Sequence, residues 1–193
     1  LRGQEKVQLP VCREMEQSGN LYAGSHNPTS LWFSPLDNVL EFHADYKLER
    51  GDWHDLDESS KTGHFGVGIS GQRRFSKVVC SGSIVYDDGK EYGRRWNSTL
   101  QIADDNPFIL GDSIASDFNI QRFRLSGNVA YHPFERLTLA LQFDYDTGSS
   151  ANQTDPRPKT DGMHFVITPG IHYGLGGGFS LGLSGSFDLM SES

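Results

Sequence analysis

The sequence predicts an all-β protein, an antiparallel up-and-down transmembrane β-barrel with about seven strands in view. Three observations predict it. Apolar residues recur at every second position in segments of roughly 9–11 residues, the strand length that crosses a bilayer at a barrel tilt. Short connections alternate with long ones along the chain. Aromatic residues gather at both ends of the apolar faces, with aliphatic residues between them.

Composition is compatible with that class and excludes others. The chain has 193 residues and a net charge of −8, which argues against nucleic-acid binding. Mean hydropathy is −0.49, so a hydropathy plot alone would class the protein as soluble. No run approaches the roughly 20 apolar residues of a transmembrane helix. Membrane strands alternate apolar with polar residues, so low hydropathy is what they produce. The first residue is Leu1 rather than Met, which reads as a processed chain or a fragment. Cys12 and Cys80 read as free thiols. Leu9-Pro10-Val11 before Cys12 faintly resembles a lipoprotein cleavage box, but the charged and polar residues ahead of it exclude that reading.

Residues 1–30 show no sustained periodicity and are expected to form an irregular lead-in or a plug. Trp32 and Phe33 end it, and Pro35 resists helix. Residues 31–193 are expected to carry the barrel strands. The first has Leu40, Phe42, Ala44, Tyr46 and Leu48 on its apolar side. The second has Phe65, Val67, Ile69 and Gly71, and the third Val78, Cys80, Gly82, Ile84 and Tyr86. Phe123, Leu125, Gly127, Val129 and Tyr131 mark the fourth; Leu137, Leu139, Leu141, Phe143 and Tyr145 mark the fifth. The sixth runs through Met163, Phe165, Ile167, Pro169, Ile171 and Tyr173, and the seventh from Phe179 to Leu189. Pro169 is awkward in a central strand, so a ladder break or bulge is expected there. No segment offers a convincing helix.

Residues 73–77, 132–136 and 174–178 read as hairpin turns. Residues 49–64, 87–121 and 146–162 are the long connections. Short turns on the periplasmic side and long loops outside is the outer-membrane arrangement. With that direction, Tyr131 and Tyr173 fall at the periplasmic ends of the apolar face. Tyr46, Phe65, Tyr86, Phe123 and Tyr145 fall near the outer ends. An odd strand count leaves two unpaired edges, which lipid does not tolerate. The expectation is therefore an incomplete barrel, continued by more of its own chain or closed by another chain.

Several stretches resemble a poorly characterised family of outer-membrane β-barrel proteins from Bacteroidota, with this chain similar to its N-terminal half. They are Asn27-Pro28-Thr29, Glu49-Arg50-Gly51-Asp52-Trp53, Arg95-Trp96-Asn97-Ser98-Thr99-Leu100, Asp155-Pro156-Arg157-Pro158 and Pro169-Gly170. The most distinctive is Asp105-Asn106-Pro107-Phe108-Ile109-Leu110-Gly111-Asp112-Ser113. The resemblance implies a Gram-negative outer-membrane location and a longer full-length protein. It implies no substrate and no catalytic residue. By analogy with such barrels, a TonB-dependent transporter or surface lipoprotein is the partner class.

The polar side of the strands carries Glu41, His43, Asp45, Lys47, Arg122, Arg124, Gln142, Asp144, His164 and His172. These are expected to face a lumen, either as a selective channel or as a salt-bridged wall that only supports it. Arg122 and Arg124 are expected to meet Asp144 and Asp146 across a hairpin. Small residues (Gly66, Gly68, Ser70, Ser81 and Ser83) leave room inside for a plug, a loop, a ligand or water. Asp105, Asn106, Pro107, Phe108 and Asp112 are expected to form a loop that contacts a partner or constricts the mouth. Acidic loop residues are compatible with divalent bridging to lipopolysaccharide, or simply with a solvated surface. No metal site is expected, since His164 and His172 lie about 25 Å apart along one strand. No cofactor is implied. No G-x-S-x-G motif appears, and enzyme chemistry is not expected. The functions read from the sequence are a pore, or the barrel component of an uptake or export complex. The alternatives are a non-conducting scaffold for a lipoprotein or transporter and, more weakly, a membrane-embedded hydrolase. Expected partners are outer-membrane lipids and lipopolysaccharide, besides those named above.

Overall fold

The computed structural model describes residues 22, 24–51, 59–96, 100, 113–153 and 159–193. The protein is all-β, a single antiparallel sheet. In chain order the strands are β1 (Asn38–Arg50), β2 (Lys61–Arg74), β3 (Val78–Arg94), β4 (Ser116–Phe134), β5 (Leu137–Asn152), β6 (Lys159–Gly176), β7 (Phe179–Ser184) and β8 (Phe187–Glu192). Each of β1 to β6 pairs with the next, and β8 also pairs with β6. The topology is up-and-down, as the alternating segments predict. The sheet is open: β1 forms one edge, and β7 and β8 follow one another along the other. The expected barrel is not closed within this chain.

The seventh predicted strand is thus two short strands. β7 pairs with the stretch of β6 from Gly170 to Gly176, and β8 pairs with Gly162 to Ile167. The interruption falls opposite Pro169, where the ladder break was expected. The strands are also longer than their apolar cores. β3 and β4 run past Tyr86 and Phe123 into polar sequence, because backbone pairing does not require apolar side chains. The long connections are shorter than predicted, at residues 51–60, 95–115 and 153–158. The three hairpin turns stand where expected. Gly176, Gly177 and Gly178 all have positive φ, a conformation that glycine takes without a Cβ penalty.

The register settles which residues share a face. Phe42, Ile69, Ile84, Leu125, Tyr145, Phe165 and Leu189 form one continuous row across the sheet. The apolar face is the exposed one: Phe42 is 72% exposed, Leu183 71% and Leu181 66%. The buried residues lie on the opposite side. Val79 and Ala130 are completely buried, covered by Leu31 with Trp32 and Ala140 alongside. That small core sits between the sheet and a strap formed by the residues just before β1.

The strap is a local structure for which the sequence reading had no helix. Pro28–Phe33 form a single 3-10 helix. Asn27 caps it by accepting from the Thr29 N–H at 3.0 Å, and Pro28 follows at the first helical position. Among the described residues no helix is long and apolar enough to cross a membrane.

Candidate functional site: the polar face and its strap

The ten polar residues read from the strand alternation all lie on one face. Glu41, His43, Asp45 and Lys47 are on β1; Arg122 and Arg124 on β4; Gln142 and Asp144 on β5; His164 and His172 on β6. The structure does not bring them into one cluster. It spreads them along a wall knitted by pairwise contacts.

Two arginines cross over in the middle of that wall. In register, Arg122 stands opposite Asp87 on one side and Gly148 on the other, while Arg124 stands opposite Val85 and Asp146. Arg122 nevertheless donates from Nε to both Asp146 oxygens, at 2.8 and 3.0 Å, with Nη2 2.7 Å from Oδ2. Arg124 instead reaches back to Asp87 Oδ2 at 2.6 Å. The expectation for Asp144 is corrected: it accepts from Gln142 Nε2 at 2.8 Å rather than from an arginine. A guanidinium on a strand reaches a diagonal neighbour as easily as the opposite residue, so shared face does not fix partner.

On β1 the imidazole of His43 lies over Gly68, where a Cβ would collide with it. Asp45 and Asp87 flank Gly66, leaving a Cβ only 2.7 and 2.9 Å from their oxygens. These glycines therefore make room for side chains of the neighbouring strands. Lys47 pairs with Glu49 at 2.9 Å, both well exposed. His164 Nε2 lies 2.6 Å from Asp188 Oδ1.

At the turn end the polar face is covered by the strap. Asn27 Nδ2 donates to the carbonyls of Ile171 and Leu183, each at 3.1 Å. Asn128 Nδ2 donates to the Pro28 carbonyl at 3.2 Å. Arg74 holds the following residues, donating to the carbonyls of Trp32 and Ser34 and pairing with Asp37 at 2.8 Å. Its guanidinium stands 5.2 Å from the Trp32 ring centre. The same ring stacks on His132, 4.5 Å away at 13°. His132 Nδ1 in turn lies 2.9 Å from the Thr138 hydroxyl. His172 meets Phe33 edge-on at 4.8 Å.

At the loop end Leu100 lies on the same face. Leu100 packs against Gly148 and Gly162, and its N–H donates to Glu192 Oε1 at 2.7 Å. Asp105, Asn106, Pro107, Phe108 and Asp112 of the expected loop lie outside the described residues, as do residues 1–21 and Cys12. Cys80 carries a free thiol.

Sequence reasoning missed Asn27, Trp32, Arg74, Asn128 and His132 as a unit. One signal was present: an Asn-Pro-Thr start is a capping sequence, which announces a helical turn before the first strand. Arg74 gave no such signal, because it closes a strand and faces residues distant in sequence.

These features define an open all-β sheet with an exposed apolar face and a polar face strapped at one end. Within that class, the chain belongs to a family of unknown function, DUF6850, which matches residues 28–193. The match begins at the first residue of the 3-10 helix, so the family's extent includes the strap as well as the sheet. No solved structure matches the chain.

Proposed function

We propose that the chain forms the wall of an outer-membrane β-barrel that serves as a pore, or as the barrel component of an uptake or export complex. One observation carries this reading: the apolar face is bare while the polar face holds the strap and the buried residues. Leu40, Phe42, Leu181 and Leu183 are each at least 66% exposed. An apolar surface that runs the width of a sheet far exceeds the patches that monomers leave to water. Lipid is the solvent that suits it. The order along the face supports the same reading. Tyr46 pairs with Phe65, Tyr86 with Phe123, and Tyr145 with Phe165, while Asp88 and Gln121 stand beyond Tyr86 and Phe123 toward the loops. Aromatic residues below a polar rim are the usual edge of a membrane-facing band.

The test is refolding into detergent and lipid vesicles, followed by conductance in planar bilayers. Insertion with conductance is the expected result. A chain that stays monodisperse in buffer without detergent overturns the membrane reading. The strap favours a second reading, a non-conducting scaffold for a lipoprotein or transporter, because it already occupies part of the polar face. Insertion without conductance, together with recovery of a stable partner from native outer membranes, would select that reading.

A further inference from the structure

Between the strap and the middle of the polar face lies a cavity of about 250 Å³. Ser70, Ser83 and Ser126 follow one another in register across β2, β3 and β4 and line it. The hydroxyls of Ser83 and Ser126 are 2.7 Å apart. The amides of Gln72, Asn128 and Gln142 stand beside them, and Leu36 of the strap closes one side. Among the described residues no Lys, Arg, His, Asp or Glu lines the cavity.

We infer that this cavity binds a neutral, hydroxyl-rich solute the size of a single sugar ring. An anion would find no cation among the described lining residues, and the carboxylates at the two ends of the serine row, Glu41 and Asp144, are already engaged, Asp144 by Gln142. An apolar ligand would strip water from serine hydroxyls and amides without replacing the lost hydrogen bonds. A polyol meets both requirements. Each hydroxyl donates and accepts, and a planar amide offers a donor beside an acceptor, which suits neighbouring hydroxyls. Asn128 Nδ2 is committed to the Pro28 carbonyl, which fixes that side chain between the strap and the cavity. Leu36 is itself buried and held by Gln72 through its carbonyl, so the strap forms a fixed wall of the site. The inference deepens the proposed function and rests on it for the cavity's place on a lumen wall.

The experiment is saturation-transfer NMR on the full chain refolded in detergent micelles. The probes are glucose and N-acetylglucosamine, with glucuronate and glucosamine as charged counterparts. Transfer to the neutral sugars is expected at millimolar concentration, with weaker transfer to the charged pair. Ser126→Leu, which fills the cavity, should weaken binding by roughly tenfold or more. Ser70→Leu fills it from the other side and serves if the first variant does not fold. Absence of transfer to the folded wild-type chain, or undiminished binding by a folded filling variant, overturns the inference. Conductance without sugar binding removes this inference alone; sugar binding without membrane insertion keeps the site and removes the pore reading.

Discussion

The N–H of Gly185 donates to the carbonyl of Pro169 at 3.3 Å, and Pro169 has no N–H to return. The ladder between β6 and its neighbour is interrupted at this point. Regular pairing resumes at Gly170 with Ser184 on one side and at Ile167 with Phe187 on the other. Pro169→Val restores a donor with a residue that suits strands. It should join β7 to β8 and raise stability by about 0.5–1.5 kcal/mol, read from denaturant unfolding of the refolded protein. Hydrogen exchange at Gly185 and Ser186 should slow. Unchanged exchange there would show that the interruption has another cause.

Leu141 and His164 lie on opposite faces of neighbouring strands and make a paired test of sidedness. Leu141 stands on the exposed apolar face. Leu141→Arg should block membrane assembly, at a cost of about 2–4 kcal/mol near the bilayer midplane. His164→Arg keeps a donor facing Asp188 on the polar face and should assemble like the wild type. Equal assembly of the two variants into vesicles, scored by heat-modifiable mobility, would sink the sidedness.

The ion pairs of the wall should differ in worth. Asp146 is largely shielded and receives the Arg122 guanidinium through two of its nitrogens, whereas Lys47 and Glu49 are both about 60% exposed. A double-mutant cycle on Arg122 and Asp146 should give a coupling of about 0.5–1 kcal/mol after allowance for solvent screening. The same cycle on Lys47 and Glu49 should give roughly zero. Similar couplings for both would mean that geometry and shielding do not distinguish them.

The strap packs directly on Gly170 of β6. A Cβ there would run into Asn27 Oδ1 and come within 2.8 Å of the Pro28 ring. Gly170→Ala should therefore lift the strap, and limited proteolysis before β1 should become faster. Asn27→Ala removes two hydrogen bonds to the sheet and the cap of the 3-10 helix. It should have the same effect, at about 1–3 kcal/mol of local stability. In a conducting barrel both variants should raise the conductance; a strap that resists protease in both would contradict its dependence on this contact.

Face membership was legible in the sequence because it follows from a period of two. Leu40, Ile84 and Leu141 could be assigned to one side, and Arg122 and Gln142 to the other, without coordinates. Hairpin positions and the weakness at Pro169 were legible for equally local reasons: turn chemistry and a missing donor. Strand ends were not, since Asp87 to Arg94 and Asp146 to Asn152 continue their ladders through backbone hydrogen bonds that carry no compositional mark.

By itself, then, the sequence determined an all-β antiparallel meander, its turns, and the division of residues between an apolar and a polar face. Each of these rests on interactions between residues near in sequence or on strict alternation. Only the tertiary structure decided that Arg122 takes Asp146 rather than Asp144, that residues 27–37 fold onto the polar face, and that a neutral cavity remains beneath them. Those outcomes depend on diagonal reach and on contacts such as Asn27 with Leu183, 156 positions apart. No local pattern encodes such a contact, because its energy exists only once the sheet has brought both ends together.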